Sequence, residues 1–186
     1  MRMESSFEVP ASPEVAWDLL MDVPRVIPCM PGAELTDVVD DETWKARISV
    51  KLGPIGLVFA TDVKREEADV AARRATLSAR ARELRGRGGG QATIQSTLVP
   101  VDGGTRVELV TDLTLSGAVA QYGRGMVEDV SSQLVGKFAD CLKSELSSDP
   151  GEEASPRPVE AAKPISGLSL ALGALRRAVV RFVRRR

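Results

Sequence analysis

Apolar residues recur along this chain with two different periods, and the switch between them divides it. Phe7-Glu8-Val9 alternates and reads as a first strand. Ser12 then precedes Pro13, an N-cap followed by a residue suited to a first helical position, so a short helix is expected through Val15, Ala16, Leu19 and Leu20. A second short helix is expected from near Val23-Pro24-Arg25 to before Pro28, and Cys29-Met30-Pro31-Gly32 reads as a turn. Runs with period two follow. Residues 33–39 make a short strand. Trp44, Ala46, Ile48 and Val50 share one face of the next, with Lys45, Arg47, Ser49 and Lys51 on the other. Gly53-Pro54 separates that run from Ile55, Leu57, Phe59, Thr61 and Val63. A turn is expected at Glu66-Glu67-Ala68-Asp69, a strand within 70–82, and a glycine-rich connection from Gly86 to Gly90. Ala92, Ile94 and Leu98 form the next run. Asp102-Gly103-Gly104-Thr105 is a hairpin turn into the last strand, with Val107, Leu109, Thr111, Leu113 and Leu115.

After Gly117 the period becomes three to four. Val119, Tyr122, Met126, Val127, Val130, Leu134, Phe138, Cys141 and Leu142 fall on one face of a helix of about seven turns, which fades at Ser147. Pro150, Pro156, Pro158 and Pro164 mark residues 149–164 as a polar linker. In residues 165–186, Ile165, Leu168, Leu172, Leu175, Val179, Phe182 and Val183 lie on one side of a helical wheel. Arg177, Arg181, Arg184 and Arg185 lie on the other, and Arg176 and Arg186 break the pattern. The expected organisation is a domain over 1–148, a linker over 149–164 and a basic amphipathic tail over 165–186.

Charge sharpens that division. The net charge is −1. Residues 1–149 hold 17 Lys+Arg against 23 Asp+Glu, and residues 150–186 hold 8 against 3, so an acidic body carries a basic end. The stretch 165–175 is too short to span a bilayer, which takes ~20 residues. It suits a helix lying in the interface with its arginines at lipid phosphates. A helix docked on the acidic body, or a disordered basic tail, accounts for the same residues. Nucleic acid fits less well, because the apolar face wants an apolar partner. No apolar run follows the first residues, so no signal peptide is expected.

Chemistry is limited by composition. There is no His, which removes Ser-His-Asp and Cys-His catalysis and His-ligated metal. Cys29 and Cys141 cannot hold a metal alone, and without a secretion signal they are expected to be free thiols, small and buried, in a reducing cytoplasm. Gly86-Arg87-Gly88-Gly89-Gly90 lacks the Lys-Ser/Thr ending of a phosphate loop. The pairs Asp40/Asp41, Glu66/Glu67 and Glu128/Asp129 read as solvated charge. No catalytic residues and no metal site are expected. A curved antiparallel sheet across one long helix can leave a cavity, and the aromatic content of 4% leaves few large side chains to fill it. Aliphatic residues closing the space completely is the alternative.

The order of one strand, two small helices, six strands and a long helix resembles the α+β helix-grip fold of the START/Bet v 1-like (SRPBCC) superfamily. That fold is a curved seven-stranded antiparallel sheet wrapped on a long C-terminal helix, to which this chain would add a separate amphipathic C-terminal helix. The run Asp18-Leu19-Leu20-Met21-Asp22-Val23-Pro24-Arg25-Val26-Ile27-Pro28-Cys29-Met30-Pro31-Gly32-Ala33 is similar to the carbon monoxide dehydrogenase CoxG family. So are Lys51-Leu52-Gly53-Pro54-Ile55, Gly103-Gly104-Thr105 and Gly117-Ala118-Val119-Ala120-Gln121-Tyr122-Gly123-Arg124. The resemblance covers about residues 1–146.

It implies a non-catalytic accessory protein of a molybdenum-containing carbon monoxide dehydrogenase, peripheral on the cytoplasmic side of the cell membrane. A tethered protein with an apolar cavity could carry menaquinone, or a similar isoprenoid quinone, between membrane and enzyme. An adaptor that only recruits the dehydrogenase, and an assembly chaperone for it, are the alternatives; a START-like enzyme lacks clustered polar groups here. The expected ligand contacts are Met30 and Pro31 as a gate and Tyr122 and Arg124 as hydrogen-bonding groups. Trp44, Phe59, Ala120, Met126, Val127, Val130 and Leu134 complete the lining. The expected membrane contacts are Leu168, Leu172, Leu175, Arg176, Arg177, Val179, Arg181, Phe182, Arg184 and Arg185 on an anionic inner leaflet.

Overall fold

A computed structural model describes residues 1–52 and 55–147. The linker at 149–164 and the tail at 165–186, with every membrane contact expected there, lie outside the described residues. The elements are β1 (Arg2–Val9), α1 (Pro13–Met21), α2 (Val23–Val26), a 3-10 turn (Ile27–Cys29), β2 (Ala33–Val38), β3 (Thr43–Leu52) and β4 (Ile55–Asp69). Then come β5 (Arg74–Glu83), β6 (Gly88–Val101), β7 (Gly104–Gly117), a second 3-10 turn (Ala118–Gln121) and α3 (Arg124–Ser147). The strands form one curved antiparallel sheet in the order β1-β7-β6-β5-β4-β3-β2.

Pairing sorts the side chains by face. Phe7 opposes Val107, which opposes Leu98, and Trp44 opposes Val63, which opposes Ala79. Since direct partners share a face, the alternating apolar residues of all these strands collect on one side, toward α3. The short helices form where caps allow. Ser12 Oγ accepts from the Val15 N–H at 3.4 Å, and an Asp22 carboxylate oxygen accepts from the Arg25 N–H at 3.2 Å. Trp17, Leu19 and Val26 join Val9, Leu98, Val107 and Leu142 in the core, where Val107 and Leu142 are fully buried. Phe7 meets Phe138 edge-on, with ring centroids 6.0 Å apart, and so seats α3 on β1.

Four expectations are corrected. Glu66 to Asp69 are not a turn, because β4 runs through them to Asp69. A register shift between Arg65 and Glu67 absorbs one residue, and Glu66 accepts from Lys64 Nζ at 2.9 Å and from Ser78 Oγ at 2.7 Å. The acidic pair is therefore solvated strand rather than loop. The turn follows at residues 70–73 and ends on Arg73, at φ 48°.

Gly88 to Gly90 belong to β6 rather than to a connection. Gly88 pairs with Gly117 so closely that a Cβ on Gly88, at φ +115°, would lie 2.0 Å from the Ser116 carbonyl oxygen. Glycine serves backbone approach there. Next, α3 starts at Arg124, so Val119 and Tyr122 precede it. Gly117, at φ 69°, turns the chain into the 3-10 segment before the helix begins.

Finally, Cys29 and Cys141 are not free thiols. They form a disulfide across 112 residues with Cα atoms 5.3 Å apart. Two cysteines so far apart in sequence carry no spacing signal, and only the docking of α3 on the Ile27–Cys29 turn brings them together.

Candidate functional site

The N-terminal half of α3 crosses the β1 side of the sheet, and a cavity of about 680 Å³ remains between them. Met3 and Ser5 from β1, Ile94 from β6, and Leu109 and Thr111 from β7 form its floor. Ser131, Leu134 and Val135 of α3 form its roof, and Met30 closes one side. At the rim stand Arg2, Glu4, Arg124 and Glu128. Arg124 Nε donates to Glu128 Oε1 at 2.6 Å, an i,i+4 pair across one turn of the exposed helix surface. Since that bond uses Nε–H, the two terminal guanidinium nitrogens keep their donors. The site is thus an apolar chamber with charged and donor groups confined to its edge.

Met30 is held there by a clasp. Its neighbour Cys29 is bonded to Cys141 of α3, and Arg25 of α2 meets Glu145 of α3 at 3.5 Å. Both ties join the α2 region to the C-terminal half of α3, so the spacing between Met30 and the helix is set covalently.

Of the residues expected to contact ligand, Met30, Arg124 and Leu134 line this chamber and the others do not. Trp44 is buried at 3% exposure under Arg65, whose guanidinium carbon lies 5.4 Å from the ring centroid. Arg65 is fixed in turn by donating to the Met21 carbonyl at 3.2 Å and the Asp41 carbonyl at 2.7 Å. Trp44, Ala46, Leu57 and Thr61 are all buried, so the interior beneath β3 and β4 is packed, not open. Val127 is buried, Phe59, Tyr122, Val130 and Pro31 are half-buried, and Ala120 and Met126 are exposed. The aliphatic closure weighed for the whole interior therefore holds for one half of it.

Met3, Ser5, Ile94, Leu109, Thr111, Ser131 and Val135 were not among the expected contacts. Alternation places Ile94, Leu109 and Thr111 on the inner face. That β1 lies beside β7, which brings them under α3 with Met3, is a property of strand order.

A larger hollow of about 830 Å³ lies on the opposite face of the sheet. Lys45, Asp62, Arg80, Gln91 and Thr114 cross it in one row of direct partners. Its ionic and polar surface suits no apolar ligand.

Near one end of the sheet Glu83 is a buried carboxylate. Burial pushes its carboxyl up, but the N–H groups of Arg87, Arg85 and Val58 and the Arg87 guanidinium outweigh this and hold it below the ordinary glutamate value. Its oxygen accepts from the Arg85 N–H at 2.8 Å and the Arg87 N–H at 3.1 Å, so it pins the β5–β6 turn.

The sequence model of the carbon monoxide dehydrogenase CoxG family matches residues 5–147. Among curated proteins none matches. The fold is similar to a conserved protein from Geobacillus kaustophilus, with TM-score 0.71 and 20% identity over 78% of this chain and 95% of that one. It is also similar to a START superfamily protein from Mycobacterium smegmatis, with TM-score 0.51 and 16% identity over 77% and 95% of the two chains. The Zhui aromatase/cyclase from a Streptomyces species is similar as well, with TM-score 0.54 and 16% identity over 78% and 92%. At these identities the likeness is one of fold, the START-like one.

Proposed function

This chain belongs to the carbon monoxide dehydrogenase CoxG family, and from that premise we propose that it is a non-catalytic carrier of menaquinone or a similar isoprenoid quinone. It takes the quinone from the membrane and presents it to a molybdenum-containing carbon monoxide dehydrogenase. The observation that carries this reading is the chamber beneath α3, whose apolar walls and polar rim match a ligand with an apolar body and a carbonyl-bearing head. The free guanidinium donors of Arg124 are placed to meet a quinone carbonyl at the rim. The tail at 165–186 tethers the chain to an anionic inner leaflet, and the linker at 149–164 gives the domain reach. The electron chemistry belongs to cargo and partner, so a chain without His suffices.

One observation bears on compartment. Disulfides persist chiefly in oxidising environments, and the Cys29–Cys141 bond has to be reconciled with the cytoplasmic side of the membrane. Trapping the thiols in intact cells reads its state directly.

The carrier reading is tested by incubating the full chain with menaquinone-loaded vesicles, separating the two, and measuring quinone in the protein fraction. The wild type should acquire quinone. Leu134→Trp, which fills the roof of the chamber, should not, while still binding vesicles and dehydrogenase. If the wild type takes up no quinone, or Leu134→Trp supports electron transfer as well as the wild type, the adaptor reading replaces it.

A further inference from the structure

The acidic body is electrically divided along its strands. At one end the β2–β3, β4–β5 and β6–β7 turns gather Asp40, Asp41, Glu42, Asp69 and Asp102. At the other end lie the β5–β6 turn and the passage from β7 into α3, joined where the Val119 N–H donates to the Arg87 carbonyl at 3.2 Å. Arg82 and Arg85 are exposed there and have no ion-pair partner among the described residues. The one acid of that turn, Glu83, is buried and committed to backbone N–H groups. Between the two arginines Leu84 is 55% exposed, and Met126 in the first turn of α3 is 43% exposed. Arg124, two residues before Met126, also stands on the rim of the chamber.

We propose that this end of the domain is a second lipid-contacting surface. Leu84 and Met126 enter the interface of an anionic bilayer, and Arg82 and Arg85 sit at its phosphates. An apolar side chain flanked by unpaired arginines satisfies both parts of an interfacial contact, burial and charge. Charge complementarity selects the end. Val38, Val39 and Val70 are also exposed, at 52%, 50% and 69%, but they stand among the acidic turns, which an anionic surface repels. The surface deepens the carrier reading, because it turns the end of the body that bears the chamber rim toward the membrane. It does not depend on which ligand is carried.

The test places a tryptophan at either end of the full chain, Leu84→Trp or Val70→Trp. Trp17 and Trp44 are buried and supply a constant background. Vesicles of phosphatidylglycerol and phosphatidylcholine, without quinone, carry bromine on their acyl chains as quencher. Leu84→Trp should shift its emission to the blue and be quenched, and Val70→Trp should not. Neutralising Arg82 and Arg85 with Arg82→Gln and Arg85→Gln should lower vesicle partitioning by about 5-fold for each arginine. Pure phosphatidylcholine should give little response.

Equal responses at the two ends, or none at Leu84→Trp, would overturn the proposal. So would a Leu84→Trp response to the dehydrogenase but not to vesicles, which would make this a protein-docking surface. Both positions are exposed, and unchanged thermal unfolding confirms that each variant is folded. As no quinone is present, a failed carrier reading and a failed lipid surface are read separately.

Discussion

Breaking the Cys29–Cys141 bond is the sharpest single perturbation available in this domain. The bond closes a loop across 112 residues. Closing a loop that long removes about 5 kcal/mol of conformational freedom from the unfolded chain, the upper end of the ~2–5 kcal/mol that native bonds contribute. Little else at the clasp can replace it. The accompanying Arg25–Glu145 pair is about half exposed on both sides, and such pairs contribute ~0–1 kcal/mol. For a domain of this size each kcal/mol corresponds to ~2–4 °C. Reduction, or the Cys29→Ser/Cys141→Ser double variant, should therefore lower Tm by ~10–20 °C, followed by calorimetry of the full chain at pH 7. Alkylation and mass spectrometry without reductant establish the starting state. Two alkylated cysteines in the untreated protein would refute the pairing. Complete reduction that moves Tm by less than ~2 °C would refute the claim that the bond carries the clasp. The same alkylation in intact cells shows which state the protein works in. Because Met30 follows Cys29 and lines the chamber, reduction should also weaken quinone retention before the domain melts.

Three further outcomes are expected. Thr105 is fully buried and its Oγ1 donates to the Ala11 carbonyl at 2.7 Å, so Thr105→Val should cost ~1–3 kcal/mol in urea unfolding by leaving that carbonyl unpaired. The Glu83 carboxyl is held below its ordinary value in the folded domain, so its contribution is present above the ordinary glutamate range and is lost as pH falls beneath it. Hydrogen exchange at the Arg85 and Arg87 amides, corrected for its intrinsic pH dependence, should accelerate on acidification, and Glu83→Gln should remove that dependence. Arg124→Ala breaks only an exposed i,i+4 pair, so stability should fall by no more than ~0.5 kcal/mol while quinone uptake drops, separating its role at the rim from any role in folding.

Much of the architecture was legible because it follows from local periodicity. Alternation from Trp44 to Val50 and from Val107 to Leu115 named the inward residues, and the run from Val127 to Leu142 named the face of α3. Errors fell where local pattern and pairing conflict. Glu66 and Glu67 look like turn residues until strand partners are known, and Gly88 to Gly90 look like a loop until Gly117 lies against them. The chamber was only partly legible for the same reason. Arg124 and Leu134 follow from the helix face and Met30 from the turn before β2. Trp44 and Phe59 share the inner face as expected, but they belong to the half of the interior that is packed shut.

By itself the sequence determined the element order, the faces, the absence of imidazole chemistry and the division into an acidic body and a basic end, since each depends on residues close together in the chain. The tertiary structure alone decided that β1 borders β7, that Cys29 meets Cys141, and that the chamber opens beside β1 and not beneath β3. It also decided that the charge of the body is divided between its two ends. Each of these depends on which distant segments become neighbours, and that is set by how strands stack and where α3 comes to rest on them.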